Sequence, residues 1–163
     1  MYQKIYIIGP VGSGKTTLAK KLAHELNIKS YELDKVIWDD EHGNIKRTSE
    51  EINFLFLKIL KEPSWIIEDV GRERFIEGIK QADIVYYINL SAPTIYKRLI
   101  TRYIKQKIGL EPYNYKPTMK GLIELFGWAK KDLRTRKKKI SEIKKYAKKY
   151  EILNKKTEIV RMT

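Results

Sequence analysis

The chain has 163 residues, a formal net charge of +14 and no cysteine, which excludes disulfides and thiolate metal sites. Its length fits one domain, residues 1–163, and no stretch approaches the roughly 20 apolar residues of a membrane span. Because there are only two histidines and no signal peptide is visible, we expect no zinc site and a cytoplasmic protein that does not contact a membrane.

The positive charge is concentrated in the second part of the chain. Residues 1–96 contain 13 Lys and Arg and 14 Asp and Glu, a net of −1, whereas residues 97–163 contain 21 and 6, a net of +15. Such a bias indicates an anionic partner, either a nucleotide or a nucleic acid. The alternative is a lysine-rich, solvated helix face. We therefore expect at most weak, non-specific binding of nucleic acid.

A predicted strand at about 3–8 and a predicted helix at about 15–25 enclose a glycine-rich loop. Residues 9–17, Gly-Pro-Val-Gly-Ser-Gly-Lys-Thr-Thr, fit G-x-x-x-x-G-K-[ST], the phosphate-binding P-loop. Glycines let the backbone turn its N–H groups toward one anion, while Lys15 would reach the β- and γ-phosphates and the Thr16 hydroxyl would face Mg²⁺. The predicted nucleotide-binding residues of this loop are Gly9, Pro10, Val11, Gly12, Ser13, Gly14, Lys15, Thr16 and Thr17.

The next predicted strand, at about 29–33, places Asp34 at its C-terminal end. There Asp34 could accept a proton from a substrate hydroxyl as a general base, or it could cap the short helix or turn that we predict at 34–38. Residues 39–47 are polar and contain glycine, so we predict a loop. A helix follows over about 48–62, because its first residues fit a capping box.

A third strand, at about 64–69, ends in two carboxylates, Glu68 and Asp69. In P-loop proteins a carboxylate at this position holds Mg²⁺, directly or through water. We assign this role to Glu68, together with Thr16. The alternative is that the carboxylate caps the turn before a helical stretch at 72–81.

The longest predicted strand lies at about 83–90. A helix capped by Ser91 follows at 91–109. After it we predict a loop at 111–117, a helical region from 118 onward and a last strand at about 151–154. Strands that alternate with helices form right-handed crossovers and a parallel sheet with helices on both faces. Ligands of such sheets bind beyond the carboxyl ends of the strands. The residues after the strand ends should therefore gather at one edge, as a phosphoryl-transfer site requires.

Three pairs of arginines follow the P-loop. A transferring phosphoryl group carries negative charge on its oxygens, and guanidinium groups match their geometry. For any one of these arginines, the alternative is a solvated surface position. The pairs are Arg72 and Arg74, Arg98 and Arg102, and Arg134 and Arg136.

Five stretches also carry a family resemblance: residues 7–19, 32–38, 65–69, 82–88 and 96–102. In these stretches the chain resembles the P-loop small-molecule kinases of the adenylate kinase and shikimate kinase group, and most of all the adenylate-kinase-related topology-modulation proteins. The resemblance implies an α/β P-loop NTPase fold with a five-stranded parallel sheet in the order 2-3-1-4-5. It also implies a mobile acceptor-binding segment near 35–62 and a helical lid near 103–136.

The same resemblance implies roles for three arginines. Arg72 matches the arginine that binds the acceptor phosphate in adenylate kinases. Arg98 and Arg102 match the pair at the base of the lid, one near adenine and one near phosphate. We therefore add Arg98 and Arg102 to the predicted nucleotide-binding residues.

These observations predict an ATP- and Mg²⁺-dependent kinase that transfers the γ-phosphoryl group to a small acceptor. The acceptor would be a nucleoside monophosphate or a nucleoside, and the arginine pairs favour the monophosphate. Two alternatives involve nucleic acid: a nucleic-acid-binding regulator of DNA topology that uses the nucleotide as a switch, and a polynucleotide 5′-hydroxyl kinase. The predicted catalytic residues are Lys15, Asp34, Arg72, Arg134 and Arg136.

Overall fold

The centre of the molecule is built on runs of β-branched and aromatic residues. In the computed structural model, which describes residues 2–39, 42–113 and 116–154, three of these runs are almost entirely buried. Such residues favour strands, and strands that are covered on both faces are nearly continuously apolar. The strands are β1 (Lys4–Ile8), β2 (Ser30–Glu32), β3 (Trp38–Asp39), β4 (Ile45–Lys46), β5 (Trp65–Asp69), β6 (Ile84–Ile88) and β7 (Tyr150–Leu153).

Helices connect the strands and pack on the sheet. In the described part of the chain, no helix combines the length and the apolar character that a membrane span requires. A 3₁₀ turn at Glu73–Phe75 precedes α4. The helices are α1 (Lys15–Leu26), α2 (Leu33–Ile37), α3 (Ser49–Leu60), α4 (Ile76–Gln81), α5 (Ala92–Lys107), α6 (Met119–Arg134) and α7 (Arg136–Tyr146).

The central sheet has five strands in the order β2-β5-β1-β6-β7, and every neighbouring pair is parallel. Counted among these five strands alone, the order is 2-3-1-4-5, which confirms the sheet that the family resemblance implied. In this register Ile8 lies beside Asp69, and Glu32 lies beside Glu68. The carboxyl ends of β1, β2 and β5 therefore meet at one edge of the sheet.

Alternate residues of the strands pack against two layers of helices, as a parallel sheet requires. On one face, Tyr6 and Trp65 meet edge to face with ring centroids 6.5 Å apart, in a core that α2, α3, α4 and α7 complete. On the other face, Ile5 and Ile7 pack against apolar residues of α1, α5 and α6. The prediction that helices cover both faces is confirmed.

The loop predicted at 39–47 is instead part of a short antiparallel hairpin, in which β3 pairs with β4. Its turn contains Gly43 and Asn44 with φ angles of 89° and 59°, in the left-handed region that these two residue types tolerate best. The Arg47 guanidinium donates a hydrogen bond to the carbonyl oxygen of Trp38 at 2.9 Å. The hairpin was missed because its strands have two residues each and rest on this long side chain.

Two helices also differ from prediction, one in its length and one in its cap. The helical region from 118 onward consists of two helices separated at Thr135, whose hydroxyl donates to the carbonyl oxygen of Asp132 at 3.1 Å. A side chain that bonds to the preceding turn competes with continued helix. Ser91 precedes α5 as predicted, but its hydroxyl pairs with the Thr94 hydroxyl at 2.8 Å and caps no backbone N–H.

The predicted capping box is confirmed at α3. Thr48 Oγ1 accepts a hydrogen bond from the Glu51 N–H at 3.2 Å, and Glu51 Oε2 accepts one from the Thr48 N–H at 2.8 Å. Both bonds satisfy donors that the helix itself leaves unpaired. Positions 40 and 41 of the loop predicted at 39–47, and 114 and 115 of the loop predicted at 111–117, lie outside the described residues.

Two helical glycines offer a matched test of this packing. A Cβ atom on Gly78 in α4 would lie 2.5 Å from Tyr6 Cε2, whereas one on Gly127 in α6 would meet no atom within 4 Å. We expect Gly78→Ala to lower the free energy of unfolding by about 1–3 kcal/mol, because it overpacks the core. Gly127→Ala should raise it by about 0.5–1 kcal/mol through helix propensity. Urea unfolding measures both, and effects of the same sign would contradict the packing of α4 on β1.

Candidate active site

The P-loop runs from the end of β1 directly into α1. Gly12 and Gly14 have φ angles of 75° and 98°, where a side chain would be strained. A Cβ atom on Gly12 would also lie 2.8 Å from Cδ2 of Leu99. The helix begins at once, with the Leu18 N–H donating to the carbonyl oxygen of Gly14 at 3.1 Å. The N–H groups of the first turn have no partner within the helix, so they can bind phosphate.

This loop forms one wall of a cleft of about 600 Å³. Of the predicted nucleotide-binding residues in the loop, 11–17 line the cleft and Gly9 and Pro10 do not. The Gly9 N–H donates to the carbonyl oxygen of Asp69 at 3.4 Å, and the Pro10 carbonyl oxygen accepts from the Ser13 N–H at 3.2 Å. These two residues therefore shape the loop. The remaining walls include Glu32, Asp34, Glu68, Asp69, Arg98 and Arg102.

Lys15 is held against the loop. Its Nζ donates to the carbonyl oxygen of Pro10 at 3.0 Å. Burial lowers the pKa of Lys15, while the charges of Glu68 and other carboxylates around the cleft oppose this shift. The ammonium group is thus poorly solvated, which strengthens its interaction with an incoming anion.

Thr16 and Glu68, the two predicted metal ligands, are in direct contact. The Thr16 hydroxyl donates to Glu68 Oε1 at 2.6 Å. Glu68 is only 5% exposed, and its Oε2 is buried without a hydrogen-bond partner among the described residues. Burial raises the pKa of Glu68, although the hydrogen bond from Thr16 and the charge of Lys15 act in the opposite direction.

A buried carboxylate oxygen without a partner, beside a hydroxyl group, fits a hard cation such as Mg²⁺. Within residues 2–39, 42–113 and 116–154, no group of three or more His, Asp and Glu side chains is arranged to hold a metal by itself. A cation at this position would therefore complete its shell with water and with oxygens of a bound phosphate, which is how Mg²⁺ is usually held.

Asp69 has a different environment from its neighbour, because consecutive residues of a strand point to opposite faces. Its Oδ2 accepts hydrogen bonds from the N–H groups of Gly71 and Arg72 at 2.8 and 2.6 Å. Its Oδ1 pairs with the Arg72 guanidinium. Asp69 therefore caps the turn after β5, the alternative that we considered for this pair of carboxylates, and leaves Glu68 to face the P-loop.

Arg72 joins the turn after β5 to the start of α2. Its Nη1 bonds to Asp69 and its Nη2 to Asp34. Burial alone would lower the pKa of Arg72, but the two carboxylates raise it, so the guanidinium stays charged. Asp34 lies in the first turn of α2 and caps no backbone group there, and its side chain is 64% exposed at the cleft.

The other predicted arginines fall into two groups. Arg98 donates to the carbonyl oxygen of Ser13, and burial lowers its pKa. Arg102 lies 3.9 Å from Glu111, and these two arginines also line a second cavity of about 780 Å³. Neither cavity is lined by Arg134 or Arg136.

Arg134 ends α6 and Arg136 begins α7. Arg136 Nη2 donates to the carbonyl oxygen of Leu90 at 2.7 Å, whereas Arg134 is exposed. Arg74 Nη2 lies 3.4 Å from Asn53 Oδ1 and links the 3₁₀ turn to α3. The structure therefore brings Arg98 and Arg102 to the cleft, and Arg72 bonds to two carboxylates that line it.

Sequence reasoning missed two residues of the site. Asp132 on α6 accepts a hydrogen bond from the Val11 N–H at 3.2 Å and pairs with Lys139 on α7 at 3.0 Å. Lys139 Nζ also donates to the carbonyl oxygen of Val70 at 2.6 Å. The available signal was weak: Asp132 is the one acidic residue among seven basic ones in residues 130–139.

Relatives among curated proteins are kinases by name. A putative adenylate kinase of Pyrococcus furiosus is 32% identical over 106 residues, which are 64% of this chain and 59% of that protein. A shikimate kinase of Sulfurihydrogenibium sp. is 43% identical over 49 residues, 30% of each chain. A shikimate kinase 1 of Enterobacter sp. is 33% identical over 54 residues, 27% of its length. The chain thus spans less than two thirds of the length of these relatives.

Solved structures share the fold. A shikimate kinase from Bacteroides thetaiotaomicron superposes with a TM-score of 0.64 at 18% identity, covering 99% of this chain and 94% of the other. A shikimate kinase from Acinetobacter baumannii in complex with shikimate gives a TM-score of 0.60 at 16% identity, covering 98% and 90%. These similarities show an α/β fold with a five-stranded parallel sheet, as in the P-loop NTPases.

A family model described as an AAA domain matches residues 5–116. The matched segment contains the P-loop, Asp34, Glu68, Arg98 and Arg102. Because it covers more than half of the chain, this protein belongs to the AAA domain family AAA_18.

Proposed function

We propose that this protein is an ATP- and Mg²⁺-dependent phosphotransferase that moves the γ-phosphoryl group of ATP to a small-molecule acceptor. The observation that carries the proposal is the pair of Thr16 and Glu68 beneath the P-loop, where a buried carboxylate oxygen has no partner among the described residues. The kinase names of the relatives support the same reaction class. The narrower resemblance to the topology-modulation proteins stays a prediction.

In this proposal each cleft residue has one task. The P-loop N–H groups bind the phosphates, and Lys15 leaves the Pro10 carbonyl oxygen to bind the β- and γ-phosphates. Thr16 and Glu68 hold the cation, which neutralises charge on the transferring group. Arg98 and Arg102 bind the nucleotide where the two cavities meet, so the second cavity accommodates the adenine.

The contacts of Arg72 bear on the kind of acceptor. Both terminal nitrogens of Arg72 bond to carboxylates, of Asp69 and Asp34, so the three side chains together carry a net negative charge. Such a group repels a phosphate dianion. We therefore propose a hydroxyl acceptor, with Asp34 as the general base and Arg72 as the group that orients it. This reverses the preference for a monophosphate that the arginine pairs gave.

The lid near 103–136, the mobile segment near 35–62 and the catalytic roles of Arg134 and Arg136 remain predictions for a closed, substrate-bound state. The nucleic-acid alternatives also remain predictions. Part of the basic charge on α7 is used within the molecule, since Lys138 pairs with Glu73 and Lys139 with Asp132. A polynucleotide kinase would also need a hydroxyl acceptor, so an oligonucleotide belongs among the acceptors tested.

Lys15→Met tests the reaction class. Burial lowers the pKa of Lys15, so removing its charge should leave the fold intact. The rate of ADP release should nevertheless fall by at least about 10²–10³-fold, the loss typical of one preorganised charge-stabilising group. Lys20→Met, at an exposed position of the same helix, is the matched control. A folded Lys15→Met protein with unchanged turnover would exclude the P-loop as the site of transfer.

Glu68→Gln separates stability from activity. Because burial raises the pKa of Glu68 above its usual 4.5, the folded state disfavours the charged form, and stability falls as pH rises through that window. The variant should therefore unfold at a higher temperature than the wild type at pH 7. This difference in unfolding temperature should disappear below pH 4.5, where Glu68 is protonated in the folded and the unfolded state.

The same variant should lose Mg²⁺-dependent turnover, because a neutral amide binds Mg²⁺ poorly. Glu25→Gln on the exposed face of α1 should change neither property. Thermal unfolding scans over pH and a Mg²⁺ titration of activity provide the readouts. A destabilised but fully active Glu68→Gln protein would show that Glu68 is not a metal ligand.

Asp34→Asn and Arg72→Lys identify the acceptor class. We would assay ADP release with shikimate, nucleosides, nucleoside monophosphates and a 5′-hydroxyl oligonucleotide. With a hydroxyl acceptor, Asp34→Asn should lower kcat by about 10²–10⁴-fold because the base is lost, and Arg72→Lys, which keeps the charge, should cost less. If a monophosphate is the acceptor and Arg72→Lys is the more damaging change, the proposed hydroxyl acceptor is wrong.

A further inference from the structure

Asp132 and Lys139 are charged side chains that reach the P-loop from the C-terminal helices. Their side chains are only 14% and 12% exposed. Asp132 uses one oxygen for the Val11 N–H at 3.2 Å and the other for Lys139 Nζ at 3.0 Å. A buried carboxylate and a buried ammonium group are costly to remove from water, and each needs the other as its partner.

The pair connects the two halves of the proposed site. The Val11 N–H belongs to the loop that would hold the phosphates. The Val70 carbonyl oxygen, which accepts from Lys139 at 2.6 Å, belongs to the turn that follows Glu68 and presents Arg72. The stem of Lys139 also covers this turn, since a Cβ atom on Gly71 would lie 3.2 Å from Lys139 Cδ.

The pair also has an electrostatic role at this position. Asp132 is close enough to Lys15 to oppose the effect of burial on the pKa of that lysine. A carboxylate so near the P-loop would repel the phosphates of a bound nucleotide if its charge were not compensated. Lys139 supplies that compensation, and it does so from the same position that fixes the turn after β5.

We propose that Asp132 and Lys139 act together as positioning residues, which hold the P-loop and the turn after β5 in register, and that Lys139 compensates the charge of Asp132 beside the phosphate site. This inference rests on the proposed phosphotransferase function. It assigns to α6 and α7 a part in nucleotide binding and in the alignment of phosphoryl donor and acceptor.

The two residues should respond unequally to substitution. Lys139→Met leaves the Asp132 charge uncompensated beside the phosphates, so KM for ATP should rise by about ten- to a hundredfold. Asp132→Asn removes the repulsive charge and keeps a carbonyl oxygen for the Val11 N–H, so its KM should rise only slightly. In the double variant, KM should return most of the way to the wild-type value. Its kcat should stay reduced, because the turn after β5 is no longer fixed.

Lys138→Met is the matched control, since it removes the same charge from the adjacent residue of α7. Lys138 is exposed and pairs with Glu73, so KM and kcat should stay within about twofold of the wild type, as for a surface ion pair. Steady-state kinetics would be run well below the unfolding temperature of every variant. The affinity for MANT-ATP, measured by fluorescence, would be determined in parallel.

A purely structural role predicts a different pattern. If Lys139→Met lowers the unfolding temperature but binds MANT-ATP and turns over as the wild type does, or if Asp132→Asn fails to restore nucleotide affinity in the double variant, the proposal is wrong. Because MANT-ATP binding needs no acceptor, it distinguishes this failure from failure of the proposed function. A wild-type protein that binds MANT-ATP but phosphorylates no acceptor would contradict the proposed phosphotransferase function. The effect of the Asp132–Lys139 pair on nucleotide affinity could still be measured in that case.

Discussion

The parallel pairing of β1 with β5 is the constraint on which the rest of the site depends. Because Ile8 lies beside Asp69 in this register, the P-loop and the two carboxylates leave the sheet at the same edge. A shift by one residue would exchange the faces of Glu68 and Asp69. Glu68 would then no longer meet Thr16, and the turn that orients Arg72 would lose its cap.

The pairing of the cations around the cleft follows from the same arrangement. Each cation has a carboxylate or a carbonyl oxygen as a partner: Lys15 bonds to the Pro10 carbonyl oxygen, Arg72 bridges Asp34 and Asp69, and Lys139 pairs with Asp132. Among the carboxylates of the cleft, Glu68 differs, because one of its oxygens has no partner among the described residues. Partial burial makes such pairs stronger than surface ion pairs.

Local patterns predicted the elements that depend on local chemistry. The P-loop, the capping box at Thr48 and the apolar strands were found because neighbouring residues determine them. The order of the sheet came from the family resemblance. Glu68 was assigned to the cation from the sequence, but the role of Asp69 as the cap of the following turn needed the structure, because alternation along a strand does not reveal its partners. The break at Thr135 and the Asp132–Lys139 pair depend on single side chains with distant partners, which no periodicity reveals.

The hydrogen bond from the Val11 N–H to Asp132 joins residues 121 positions apart. During synthesis at about 5–20 residues per second, roughly ten seconds separate the appearance of these two residues. Contacts between such distant positions form late, because closing the intervening chain costs entropy. The nascent chain therefore carries its nucleotide loop before the helices that hold it, and the loop gains this contact only after α6 has been made.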